Sequence, residues 1–283
     1  SRFHHASRLP ELPETETIAR DLDADIAGRT IVGAVVDRAD VLREVDAADL
    51  ARRVGGARIL RCWRRAKLVV LDLSTGDRLV VQPRFTGALL LAAGPLPPAQ
   101  APYSTLHFRL DDGRDLHYRD IRRLGTVALM GPFRWNEYLA RLGAEPLDPA
   151  FTAEHLSALL RVSRQALKTV LMDQRVVVGL GNIYANEACW RAGLDPSRAA
   201  RDVEGIEVTA LHHAITSVLT ESIVARGTSF RDYVDAHGSK GDFERFLAVY
   251  GRGGDPCQRC GARLIETHAI DGRSTVLCAG CQR

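Results

Sequence analysis

Four cysteines near the end of this chain limit its fold more than any other feature. Cys257 and Cys260 are two residues apart, 17 residues follow, and Cys278 and Cys281 repeat the two-residue spacing. Each pair bends the backbone so that two thiolates face one point, and four thiolates match the tetrahedral demand of a structural zinc ion with no open position. The other reading of this spacing is two disulfides, which need an oxidising compartment that nothing else in the sequence suggests. Between the pairs, Leu264, Ile270, Val276 and Leu277 flank Asp271-Gly272, which predicts a β-hairpin with Arg273 at its tip. The other two thiols, Cys62 and Cys189, sit in apolar stretches and are expected to be buried.

A hairpin this short accounts for little of 283 residues, and a chain of that length is expected to build two cores. Ile18, Leu22 and Ile26 at steps of four, with Gly28 behind them, predict a helix over 14–28 and its glycine stop. From Thr30 to Tyr118 the pattern becomes short β-branched runs: 31–36, 68–73, 79–81, 88–91, 106–110 and 116–118. Asp111-Asp112-Gly113 predicts a hairpin turn within this half, which reads as a β-sandwich or barrel. Beyond Gly143 to Pro149 the period turns helical, most clearly over 204–225, where Leu211, Ile215, Val218 and Ile223 mark one face. Residues 168–190 break into two helical pieces around Val178-Gly179-Leu180-Gly181-Asn182, a helix-turn-helix-like pattern. The fold class is α+β in two domains, divided near residue 148.

No run approaches the eighteen or so apolar residues of a membrane helix, and Ser1 to Leu9 lack the apolar core of a secretory signal, so a cytoplasmic protein is expected. A net charge of +3 tilts toward an anionic partner, and the clusters Trp63-Arg64-Arg65-Ala66-Lys67 and Arg119-Asp120-Ile121-Arg122-Arg123 concentrate it. Such runs are as often solvated faces as binding surfaces. Pro10-Glu11-Leu12-Pro13-Glu14 stands immediately before the first helix, and on local chemistry alone its two carboxylates are caps matched to the helix dipole.

Taken together, five segments say more. They are the Pro10 to Glu14 run; Lys67 ahead of a strand in Arg65-Ala66-Lys67-Leu68; Leu167-Lys168 and Leu171-Met172-Asp173-Gln174 leading into Val178 to Glu187; Gly227-Thr228-Ser229-Phe230-Arg231-Asp232-Tyr233; and Val249-Tyr250-Gly251-Arg252 before the cysteines. In this order, from Pro10 to Arg283, the chain resembles the bacterial formamidopyrimidine-DNA glycosylases. The resemblance implies four segments: 1–9, an extension outside the working protein; 10–148, a catalytic β-sandwich domain with a leading helix; 149–250, a helix-two-turn-helix DNA-binding domain; and 251–283, a zinc-finger hairpin. It further implies one zinc ion per chain on Cys257, Cys260, Cys278 and Cys281, a monomer, and damaged double-stranded DNA as partner.

For the chemistry, the resemblance implies that Pro10 attacks C1′ of a damaged nucleotide through its secondary amine, with Glu11 as acid and Glu14 in support. Lys67 and Arg273 are then expected at the departing phosphates, and Lys168 and Asn182 at backbone phosphates. Phe85, Arg122 and Leu124 are expected to fill the gap left by the extruded nucleotide, and Tyr103 to contact DNA where the family favours histidine. Gly238-Ser239-Lys240-Gly241 matches the region that closes over oxidised guanine.

Three departures bear on these expectations. Nine residues precede Pro10, whose nitrogen is then a tertiary amide without a nucleophilic lone pair; we expect the active form to begin at Pro10. Gln82-Pro83-Arg84-Phe85-Thr86-Gly87 stands where the family shows His-Leu-x-Met-Ser/Thr-Gly, and Ile121-Arg122-Arg123-Leu124-Gly125 where it shows Pro-Arg-Arg-Phe-Gly. An aliphatic wedge has become Phe85 while an aromatic one has become Leu124. Two rival readings stay open: a catalytically silent damaged-DNA-binding protein that keeps residues 1–9, and a zinc-ribbon protein acting on RNA or a protein partner. The second explains the cysteines but neither Pro10-Glu11 nor the 168–187 segment.

Overall fold

The computed structural model describes residues 10–229 and 233–283; expectations placed on Ser1 to Leu9 and on Phe230, Arg231 and Asp232 lie outside them. The described residues form two compact units, one holding those of 10–141 and 225–242, the other those of 142–224 and 243–283. The segment 225–242 therefore groups with the first half of the chain, although it follows the longest helix.

The first unit begins with α1 (Leu12–Ile26), whose Ile18, Leu22 and Ile26 are fully buried at the expected steps of four. It starts two residues ahead of the sequence estimate because Pro13 falls in the first turn, where its missing N–H costs nothing. Gly28, at φ +87°, ends the run. The strands β1 (Ile31–Val36), β2 (Leu42–Arg43), β3 (Ile59–Arg65), β4 (Leu68–Leu73), β5 (Arg78–Gln82), β6 (Gly87–Ala92), β7 (Ser104–Leu110), β8 (Asp115–Asp120) and β9 (Thr126–Met130) follow. They build a four-stranded sheet in the order β1-β7-β8-β6 and a five-stranded sheet in the order β2-β9-β5-β4-β3. One core joins them: Leu106, Phe108, Leu116 and Tyr118 from the first sheet meet Val69, Leu71, Val81 and Val127 from the second, with Ile18 and Leu22 of α1.

The interior strand β4 is apolar on both faces, since Leu68 and Val70 point away from that core into a smaller cluster with Val80, Met130 and Trp135 of α3 (Pro132–Leu139). β3 was hidden from pattern reading because Arg61, Arg64 and Arg65 interrupt its apolar residues. The short helix α2 (Ala47–Val54) buries only Leu50 and Val54 and is marked by its cap, Asp46, which accepts the Asp49 N–H at 2.8 Å.

The second unit contains α4 (Ala153–Arg161), α5 (Leu167–Met172), α6 (Asn182–Ala192), α7 (Ile206–Val224) and the hairpin β10 (Ile265–Thr267) with β11 (Thr275–Leu277). Gln174 shapes the double turn between α5 and α6: its amide nitrogen donates to the carbonyls of Met172 at 2.9 Å and Leu180 at 2.8 Å, while its oxygen accepts the Gly179 N–H at 2.9 Å. α7 buries Leu211, Ile215 and Val218 as its period predicts. At the end of that face stands Ser222 instead of Ile223, its hydroxyl sharing a 2.6 Å hydrogen bond with Tyr184 of α6.

Candidate functional site

In the first unit the head of α1 gathers a buried polar group. Pro10 is buried directly before it. Glu11 and Glu14 are 2% and 1% exposed and form a capping box. One Glu14 oxygen accepts the Glu11 N–H at 2.9 Å and the other accepts the Thr228 N–H at 2.7 Å, so the cap also fastens residues 225–242 to the helix. A side chain at Gly227 would put its Cβ 2.9 Å from Glu14 Cγ, and with φ at +85° only glycine fits there without strain. A surface cap is solvated; this one is enclosed, which a dipole-matching role by itself does not require.

Lys67 is half-buried on the turn between β3 and β4, reached through Ala66 at φ +55°. Arg64 secures that turn to α1, donating to Glu16 at 2.8 Å and to the Ala66 carbonyl at 3.0 Å. The basic run 63–67 is thus neither a solvated face nor a simple anion patch, for the Arg64 side chain is only 8% exposed.

Two loops of the same unit carry the other residues expected there. Phe85 is half-buried in the β5–β6 loop, Arg122 and Leu124 are exposed in the β8–β9 loop, and the Arg122 guanidinium lies 5.0 Å from the Phe85 ring centroid. Tyr103, 41% exposed, ends a short 3-10 turn ahead of β7.

In the second unit the four cysteine sulfurs lie within 4.8 Å of one another. Cys257 and Cys281 are 3.9 Å apart and Cys260 and Cys278 3.4 Å apart. Four sulfurs at about 2.3 Å from one zinc ion stand about 3.8 Å from each other, so the set fits one structural zinc without rearrangement. The hairpin they brace is small: Leu264, Val276 and Cys278 share a cluster with Trp190, Ala248 and Val249. Arg273 is exposed in the turn, where its N–H donates to Asp271 at 3.0 Å.

Lys168 is placed differently from the expectation of a phosphate contact. It is fully buried, and its ammonium donates to Thr275 Oγ1 at 2.7 Å, the Ser274 carbonyl at 3.3 Å and Asp271 at 3.4 Å. Burial lowers its pKa while the Asp271 carboxylate works against that shift. A buried ammonium already holding three oxygens has nothing to offer a backbone phosphate; Lys168 tethers the hairpin. Asn182, half-buried at the start of α6, donates its amide to the Ser274 carbonyl at 3.0 Å.

Two more α6 residues, given no role by the sequence, complete this joint. Asn186 accepts the Val276 N–H at 2.8 Å. Glu187, with no exposed surface, accepts the N–H groups of Ala248, Val249 and Tyr250 at 2.9, 3.0 and 2.8 Å. Burial raises its pKa and the three amides pull it back. The signals available were its place in the 178–187 segment and a carboxylate with apolar Ile183, Tyr184 and Trp190 one turn away on α6.

Comparison with known proteins finds relatives that span nearly the whole chain. Residues 9–127 match the family model of the formamidopyrimidine-DNA glycosylase N-terminal domain, 142–234 that of the formamidopyrimidine-DNA glycosylase H2TH domain, and 254–283 that of the zinc finger found in FPG and IleRS. The formamidopyrimidine-DNA glycosylases of Xanthomonas campestris pv. campestris and Pelotomaculum thermopropionicum are 41% and 38% identical, each over 97% of this chain and 100% and 99% of their own. Among solved structures, a complex between the Lactococcus lactis Fpg and an abasic site containing DNA superposes with a TM-score of 0.88 at 30% identity, covering 96% of this chain and 99% of that one. The complex of the wild-type Lactococcus lactis enzyme with an N7-benzyl-Fapy-dG containing DNA gives the same score and identity over 97% and 100%.

Proposed function

Because the chain belongs to the formamidopyrimidine-DNA glycosylase family, we propose that it excises oxidised purines from double-stranded DNA and cleaves the strand at the abasic site that results. The observation that carries this reading is the enclosed pair Glu11 and Glu14 at the head of α1, directly after Pro10.

In a form that begins at Pro10 the ring nitrogen is a secondary amine, and since an α-amino group titrates at about 8, a useful fraction is neutral near pH 7. That nitrogen bonds to C1′ as the bond from C1′ to the damaged base breaks, and the base leaves with the proton the amine gives up; the nitrogen lone pair then closes an iminium as the C1′–O4′ bond opens, with Glu11 giving its proton to O4′. The iminium acidifies the C2′ proton; its loss expels the 3′ phosphate, and a second elimination the 5′ phosphate. Lys67 and Arg273 neutralise these leaving groups. Phe85, Arg122 and Leu124 fill the gap in the duplex, while Tyr103 and Asn182 contact the strand. Lys168 acts on DNA only through the hairpin it holds. Zinc, when bound, supplies no chemistry at the sugar and serves to keep the hairpin folded. The working form is a cytoplasmic monomer; among the described residues no helix is long and apolar enough to cross a membrane.

A second reading has one observation in its favour: in the sequence as it stands Leu9 acylates the Pro10 nitrogen. A chain that retains residues 1–9 is then a damaged-DNA-binding protein without lyase activity. Borohydride trapping separates the two. Protein beginning at Pro10 is expected to become covalently attached to DNA carrying an abasic site, and the 283-residue form to bind without attachment. Efficient trapping of the long form, its N-terminus verified by mass, would move the nucleophile to a lysine such as Lys67 and overturn the assignment of Pro10.

A further inference from the structure

The loops bearing Phe85 and Arg122 are both crossovers between the two sheets. Residues 83–86 lead from β5 to β6, and 121–125 from β8 to β9; β5 pairs with β9, and β6 with β8. The loops therefore leave and enter neighbouring strands at the same end of the sandwich. Each contains one non-glycine residue in the left-handed region directly before its apolar side chain: Arg84 at φ +49° before Phe85, and Arg123 at φ +51° before Leu124. Such conformations persist where surrounding contacts over-determine them, and they concentrate at functional sites.

The contacts that do so meet on one carboxylate. Asp120, 1% exposed, receives the Thr86 hydroxyl at 2.5 Å and the Arg122 N–H at 3.2 Å on one oxygen. Its other oxygen receives the Gly125 N–H at 2.8 Å and the Tyr118 hydroxyl at 3.3 Å. Thr86 closes the link between loops, its oxygen accepting the Arg122 N–H at 2.9 Å while its hydrogen goes to Asp120. The Tyr118 ring fills the space beneath both loops: a Cβ on Gly87 or Gly125 would lie 2.6 or 1.9 Å from its hydroxyl oxygen. Burial and the adjacent Asp120 carboxylate hold that phenol protonated far above its ordinary range. Above this base the Arg122 guanidinium stacks on Phe85.

We propose that Asp120, through Thr86 and Tyr118, is the positioning residue that locks the two loops into one unit, so that Phe85 and Arg122 enter the duplex together. The inference rests on the wedge role proposed for Phe85, Arg122 and Leu124. Phe85 and Leu124 stand where the resemblance places an aliphatic and an aromatic side chain, and the stack of Phe85 with Arg122 depends on a registration between the loops that Asp120 fixes together with Thr86.

The test compares cleavage of an oxidised purine in duplex DNA with elimination at an abasic site in single-stranded DNA, using the Pro10-first form. Asp120→Asn keeps the shape but places an NH2 where an acceptor is needed; Thr86→Val keeps the shape and removes the hydroxyl between the loops. Both are expected to lower single-turnover duplex cleavage by about 10-fold or more, as misplacement of a contact by an ångström can do, with the single-stranded reaction within about twofold of the parent. Phe85→Ala is expected to show the same duplex-specific loss. If Phe85→Ala shows it and Thr86→Val does not, the inference is overturned while the wedge reading stands. If Phe85→Ala loses nothing specific to duplex, the wedge reading falls and the inference with it. Equal losses on both substrates would reduce Asp120 to a support of the sandwich, which also overturns the proposal.

Discussion

At the scale of single residues, His237 shows how one side chain ties local chemistry to the placement of a loop. Its Nε2 lies 2.7 Å from Asp25 and its Nδ1 3.8 Å from Asp21, both on α1, while Arg226 bridges Asp21 at 2.6 Å and Asp235 at 2.5 Å. Asp21, Asp235 and His237 have the spacing of a metal site. The Arg226 guanidinium already supplies the cation there. The hydrogen bond to Asp25, with Asp21 and Asp235 nearby, raises the His237 pKa above its ordinary 6.5, against a smaller opposing effect of burial. A histidine whose folded pKa is raised stabilises the fold fully below its unfolded pKa, and that contribution is lost as pH rises through the folded value. Relative to His237→Gln, the parent is therefore expected to resist urea better at pH 5.5, with the difference fading above pH 6.5 and absent in alkaline buffer. The effect is small because the ring is half exposed. Since His237 immediately precedes Gly238-Ser239-Lys240-Gly241, an unchanged urea midpoint at pH 5.5 would mean that this network does not anchor the loop.

At the scale of elements, α5, α6 and the hairpin form one joint whose polar contacts nearly all terminate inside the protein. Lys168 from α5, and Asn182 and Asn186 from α6, hold the β11 side of the hairpin. Glu187 holds the residues that lead toward it. Removing the ammonium with Lys168→Met takes the counter-ion from Asp271 and the donor from Thr275 Oγ1, and leaves the Ser274 carbonyl to Asn182, a change expected to cost on the order of 3 kcal/mol, as breaking a buried ion pair does. Faster zinc loss to a chelator is the expected readout. The dependence of DNA affinity on salt should keep its slope in that variant, whereas Arg273→Ala, which removes an exposed cation, should flatten it by about one unit. A flattened slope in Lys168→Met would restore the direct phosphate contact that the structure argues against.

At the scale of the whole molecule the sheet unit and the zinc hairpin rest on different foundations. The sheet unit owns a core drawn from both sheets and α1, whereas the hairpin owns a handful of apolar residues and four thiolates. Stripping zinc, or replacing Cys278 by Ser, is expected to abolish DNA binding and expose hairpin amides to hydrogen exchange while amides of β4, β5 and β9 stay protected. Loss of protection in both places together would show that the ion supports more than the hairpin. The sequence alone determined the zinc-ligand set, because ligand spacing is a local property. It determined α1, β1 and β4 for the same reason: hydrophobic period and turn residues are written in neighbouring positions. It did not disclose β3, whose arginines find partners such as Glu16 and Asp72 only after folding. Nor did it separate Lys168 from Arg273, two cations both expected at phosphates, since which one is buried depends on what packs over it from about a hundred residues away. Only the tertiary structure decided that Glu14 reaches Thr228 and that Asp120 gathers two loops. A side chain's hydrogen-bond partner is chosen by proximity in space, and sequence periodicity carries no record of that proximity.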